Sequence, residues 1–371
     1  MAGARQGNTP GTNGSARAKP AETWSTGTVC RRALQFEKYW EDTAMRAQLA
    51  AACVFVVAAG AVPMIVHGQA TAPGAATGAW SQKAPMITPR SEVSLAEVGG
   101  KIYVIGGGIN GTSVPHNEEY DIATDKWRSR YPMPRGLDHM GVAVVNGKII
   151  TVGGFVASVH KDGQPFVFEY DPATDAWRTL APLKAGLGSV GVAALNGKVY
   201  AIGGRTPKGE TVATNEVYDP AANTWTTLAP LPKARDHMAV VAAEGKIHAI
   251  GGRFTGSGDR TDMHDIYDPA TNTWTQGPPL PTARSGLAYA NYKGMAIVLG
   301  GEFPQERRTF VENEGFDAKA NAWHTLAPMP RGRHAAGATS DGTNLYVGGG
   351  SFLPGGQAGG PTGELMVFKL P

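Results

Sequence analysis

The stretch 105–135, IGGGINGTSVPHNEEYDIATDKWRSRYPMPR, decides the fold. It runs from a glycine pair, Gly106-Gly107, through Tyr120-Asp121 and Asp125 to Trp127, and leaves through Pro132. The same order recurs along the chain. Glycine pairs stand at Gly153-Gly154, Gly203-Gly204, Gly251-Gly252, Gly300-Gly301 and Gly348-Gly349, 47–50 residues apart. Tryptophans keep the same step at Trp80, Trp127, Trp177, Trp225, Trp274 and Trp323. A repeat this regular is one supersecondary unit that buries its apolar faces only against its neighbours.

Within each unit the pattern reads as four short antiparallel strands. An apolar run such as HMAVVAA (237–243) meets an x-Gly turn, where Asn146-Gly147 and Asn196-Gly197 supply the positive φ of a tight hairpin. A second apolar run ends at the glycine pair, and a loop of variable length leads to a third strand ending in Tyr-Asp. The Asp or Asn two residues before each Trp suits a left-handed turn. The Trp strand then stops at a proline, which has no N–H for a ladder. Six such units predict an all-β, six-bladed β-propeller over 78–371. The order of glycine pair, Tyr-Asp, Trp and PMPR-type exit resembles the kelch-repeat family over almost all of that span. Trp80 precedes the first complete unit, and the last unit has no Trp after ELMVFKL (364–370). GAWSQKAP (78–85) is therefore expected to supply the outer strand of the sixth blade and close the ring.

Composition agrees with a turn-rich β domain: 50 Gly and 26 Pro in 371 residues, with 18% charged. The net charge of +3 sits within residues 1–70, and the remaining 301 residues carry 27 basic and 27 acidic groups. The propeller thus lacks the bulk positive charge of a nucleic-acid binder. Residues 1–44 read as a disordered or short helical extension ahead of Met45, which is itself a candidate start. Residues 45–70 read as a signal peptide, with Gly68 and Ala70 at the cleavage positions, or as a signal anchor. Residues 71–77 are a linker. The expected location is secreted or periplasmic, with membrane contact only through an uncleaved leader. Cys30 and Cys53 lie in the leader, so the propeller has no thiolate for a disulfide, a metal or a nucleophile. Kelch repeats also occur in galactose oxidase, whose copper-bound tyrosine is cross-linked to a cysteine; that chemistry is not available here.

In a four-stranded meander, the loops entering the first strand and leaving the second share one face. Sixteen residues before the glycine pairs stand Arg90, Leu137, Leu187, Arg235, Arg284 and Gly332, and Arg205, Arg253 and Glu302 follow three of the pairs. Arg90, Arg205, Arg235, Arg253, Arg284 and Glu302 are the expected ligand-binding set. They would meet an acidic glycan, a small sugar or a protein loop through charge-assisted hydrogen bonds. Fourteen residues before the pairs, His139, His237 and His334 fall in alternate units, but a six-bladed channel is wide for three imidazoles to share one ion. Neither metal nor cofactor is expected. The segment GEFPQERRT (301–309) is similar to a loop of the periplasmic sialic acid mutarotases (N-acetylneuraminate epimerases), which need no cofactor. That resemblance implies Glu302 as acid/base and Arg308 as its partner. A binding module is the leading expectation and a mutarotase the alternative.

Overall fold

The computed structural model describes residues 77–156, 160, 162–255, 259–355 and 360–371. The stretches 1–44, 45–70 and 71–76, with the extension and leader assigned to them above, lie outside the described residues. The described residues form six four-stranded antiparallel sheets, one per repeat, with two short two-stranded hairpins in the loops. In blade one, Ser94–Val98 is innermost, followed outward by Lys101–Ile105, Asn117–Asp121 and Lys126–Ser129. The second strand is apolar on both faces because blades stack on both sides of it: Ile102, Tyr103, Val104 and Ile105 are all buried. Each core lies between two blades, as where Val152 and Ile150 of blade two meet Val192, Val199 and Tyr218 of blade three.

Closure follows the sequence reading. Ala79–Lys83 pairs antiparallel with Leu365–Lys369, Trp80 opposite Phe368, so both ends of the propeller chain share the sixth sheet. The tryptophans bind the blades in a second ring. Each indole N–H donates to a carbonyl one blade earlier: Trp127 to Ala84 (2.7 Å), Trp177 to Tyr131, Trp225 to Ala181, Trp274 to Ala229 and Trp323 to Pro278. Trp80 donates to Ala327 at 2.8 Å and completes the circuit.

A third ring surrounds the channel axis. Glu92, His139, Ser189, His237, Gly286 and Ala335 each precede an innermost strand, and all have φ between +50° and +66°. Each amide N–H donates to the carbonyl of its counterpart in the preceding blade: Glu92 to Ala335, His139 to Glu92, Ser189 to His139, His237 to Ser189, Gly286 to His237 and Ala335 to Gly286, at 2.8–3.4 Å. The left-handed conformation costs a non-glycine residue about 1 kcal/mol, which these hydrogen bonds offset. The ring narrows the channel to a neck. Beyond it, along the innermost strands, the channel encloses about 330 Å³ and is walled by small side chains, among them Val142, Val192, Ala242 and Ala338.

One register differs from the sequence reading. In blade six the second strand is Leu345–Gly348, and Gly349 and Gly350, with φ of +64° and +91°, are the counterparts of Gly106 and Gly107. Such a pair admits no side chain: a Cβ on Gly106 would lie 2.5 Å from the Leu137 carbonyl. The triplet Gly348–Gly350 hid the true pair. Every equivalence in blade six moves by one, so Ala335, not His334, takes the neck position, and Arg333, not Gly332, matches Arg90.

Candidate functional site at the neck

Arg90, Arg235 and Arg284 do not line the neck. Each is fully buried and turned back into its own blade. Arg90 donates to the carbonyls of Thr88, Val104 and Gly106 and pairs with Glu118 at 2.9 Å. Arg235 pairs with Asp265 at 2.5 Å, Arg284 with Glu314, and Arg333 with Glu364. The physical reason is the glycine pair itself, whose turn exposes carbonyls that a guanidinium fork satisfies. With those carbonyls and a carboxylate as partners, these arginines serve as internal clamps.

The remaining predicted residues do meet. Arg253 follows the glycine pair of blade four, and its guanidinium sits at the neck with no exposed surface. Its Nε donates to Asp236 (3.1 Å) and its Nη1 to Glu302 (3.3 Å). Nη2 faces the Nε2 atoms of His237 (2.8 Å) and His160 (3.2 Å). Arg205 approaches the other oxygen of Asp236 at 3.5 Å. Glu302 also accepts the Gly355 amide (2.7 Å) and lies 3.2 Å from His334 Nε2.

Glu302 and Arg308 are not a pair. In the short hairpin of Glu302–Phe303 with Arg308–Thr309, Glu302 stands opposite Thr309 and Arg308 opposite Phe303. Glu302 is 4% exposed and faces the axis. The Arg308 side chain is 46% exposed and pairs with Glu312. Alternation along a strand places the two on opposite sides, and Arg253 takes the place expected of Arg308.

Two imidazoles are fixed by carboxylates. His139 Nδ1 lies 2.6 Å from Asp138, and His237 Nδ1 lies 2.5 Å from Asp236. Hydroxyls hold those carboxylates in turn: Ser113 on Asp138 and Thr211 on Asp236, both at 2.6 Å. A carboxylate only accepts, so both rings donate from Nδ1. Their charge states then diverge. Burial opposes the cationic form of His139, but Glu92 at 3.1 Å and Asp138 outweigh it and push its pKa up to about 10. Burial, reinforced by Arg253 and His139, holds His237 well below the usual histidine range. Burial, with His237, His139 and Arg253, does the same to His160. A neutral His237 with Nδ1 protonated presents the Nε2 lone pair to Arg253.

His160 has no place in the repeat. It comes from the variable loop after the second strand of blade two and reaches the axis, where its Nε2 is 3.1 Å from that of His237. No periodicity could have marked it; the only sequence signal was a histidine in a loop of mixed composition, FVASVHKDGQPF (155–166).

Outside the neck, on the same loop face, blades four to six carry a second repeated feature. Phe254, Phe303 and Phe352 occupy equivalent positions, and a cation lies over each ring: Lys233 at 3.7 Å, Arg260 at 3.9 Å and Arg331 at 3.7 Å. Leu353 stands exposed beside them. The matching residues of blades one to three are Ile109, Val156 and Thr206.

Family comparisons agree with this architecture. The kelch motif matches residues 89–134 and 138–184, and the KLHDC2/KLHL20/DRC7 kelch-repeats domain matches 182–350. The chain belongs to the kelch-repeat β-propellers. No curated protein matches it by sequence. Among solved structures it is similar to that of YjhT, at 17% identity and a TM-score of 0.65, over 77% of this chain and 96% of that one. At that identity the likeness is one of fold.

Proposed function

We propose that this kelch propeller is an exported binding module, and that it takes an acidic partner, a protein segment or a glycan, on the loop face of blades four to six. The observation that carries this reading is the contrast between neck and rim. The neck residues Arg253, Glu302 and His334 are buried and paired with one another, whereas Lys233 and Arg331 are exposed on aromatic platforms. A cation stacked on a ring keeps its remaining donors free for carboxylates, and a planar guanidinium takes them two at a time. The sequence of residues 45–70 supports export. Arrays of acidic glycans and capture of exported proteins test the reading, with Lys233→Glu/Arg331→Glu as the control variant. Loss of the captured partner in that variant is expected; capture undiminished by it overturns the site.

One observation favours a second reading, a cofactor-independent sugar mutarotase. A carboxylate, Glu302, stands beside an arginine, Arg253, and near two neutral imidazoles. A carboxylate so placed can move an anomeric proton while the guanidinium holds an acidic substituent. NMR of sialic acid anomerisation separates the two: acceleration that Glu302→Gln abolishes supports the enzyme, and a rate equal to buffer removes it.

A further inference from the structure

The neck contains a constellation that neither reading uses. One nitrogen from each of His139, His160 and His237 lies within 4.8 Å of the other two. The His160 and His237 Nε2 atoms are 3.1 Å apart. In a tetrahedral site with metal–nitrogen bonds of about 2.0–2.1 Å, neighbouring nitrogens stand about 3.3 Å apart. Two of the rings already have the outer partners that metal-bound histidines use, since Asp138 and Asp236 accept from Nδ1; His237 Nε2 is then left to coordinate, and His139 Nε2 exchanges its contact with Glu92 for the ion. We propose that His139, His160 and His237 form a binding site for one divalent transition-metal ion of the zinc class.

Charge supports the assignment. Glu92, Asp138, Asp236 and Glu302 gather four carboxylates at the neck, against the permanent cations of Arg205 and Arg253 alone. Once His139 gives up its proton to bind, a divalent ion balances that excess. Arg253 Nη2 now occupies the space facing the two Nε2 atoms, as a cation would. Metal entry displaces those two contacts and the 3.1 Å contact of His139 Nε2 with Glu92, releasing the proton held there; Arg253 Nε and Nη1 keep Asp236 and Glu302. The channel reaches His139 and His237 and provides a path for a solvated ion. Three imidazoles leave a coordination position open for water or a ligand atom. The ion would also tie the blade-two loop, through His160, to blade four on the far side of the neck.

The test uses the untagged full chain, stripped with chelator and dialysed against Zn²⁺ or Co²⁺. One equivalent of Zn²⁺ is expected, and Co²⁺ should give the intense visible bands of a tetrahedral N-donor site. His160→Ala, a loop change that leaves the blades intact, should weaken binding at least tenfold, and Asp236→Asn should weaken it 10- to 100-fold. Absence of stoichiometric uptake by the wild-type chain overturns the site, as does uptake that His160→Ala and His237→Ala leave unchanged. Because metal content is read directly, the result is independent of any partner or sugar assay.

Discussion

Blade four holds a second group of histidines, and it behaves unlike the neck. His248 and His264 lie on adjacent strands with ring nitrogens 2.9 Å apart, packed against Phe316, with Trp323 beside His264. Their outer contacts are rings and the Pro278 carbonyl. Burial therefore dominates and lowers both pKa values to about 4. At the neck, burial again keeps two rings neutral, with Arg253 and the neighbouring histidines adding to it, yet carboxylates hold the third ring charged. Burial makes a histidine neutral by default in this fold, and carboxylates facing the ring are what overturn it.

The severest way to break the comparison is to open the ring that both groups depend on. Deleting residues 77–83 removes the closing strand and the Trp80–Ala327 link. Cooperative unfolding should disappear, a loss of more than about 5 kcal/mol, comparable to the whole stability of a domain; an unchanged thermal midpoint would refute the closure. Arg253→Met comes next. It strands Asp236 and Glu302 without their shared cation, at a cost of about 3–5 kcal/mol in urea unfolding. A cost under 1 kcal/mol would mean that the neck carboxylates rearrange freely.

The blade-four pair predicts a pH dependence. Both groups titrate lower in the folded chain than the ordinary value of 6.5, so between pH 6.5 and 4 the unfolded chain binds more protons. Stability contributed by their neutrality is complete above pH 6.5 and is lost as pH falls through that window, on the order of 3 kcal/mol for each group. His264→Phe should flatten the slope; an identical slope in variant and wild type would assign the acid sensitivity elsewhere. The smallest effect belongs to the rim. Lys233→Glu/Arg331→Glu should change stability by about 0.5 kcal/mol or less while lowering partner affinity tenfold or more, measured by calorimetry on any captured partner.

The fold was almost wholly legible because a repeat averages its own noise: six Trp and six glycine pairs agree, and Trp80 without a preceding unit announces the closure. The site was less legible, for three physical reasons. The spacing of the arginines of blades one, four and five points to ligand binding at the channel mouth, yet each is matched by an acid two residues ahead of the third-strand aromatic, Glu118, Asp265 or Glu314. Blade two, with Leu137 in place of the arginine, has Phe168 there. The glycine triplet shifted blade six by one residue and gave His334 a neck position that belongs to Ala335. His160 lies in a loop without siblings, so no register could bring it to the axis.

The amide circuit around the axis carries a wider consequence. It is made by main-chain atoms alone, so the six residues that form it are held by their backbones and their side chains take no part in it: Glu, His, Ser, His, Gly and Ala occupy them. They amount to six interchangeable sockets at one height on one axle. Chemistry at the centre of this wheel can be rewritten one side chain at a time, without retooling the spokes.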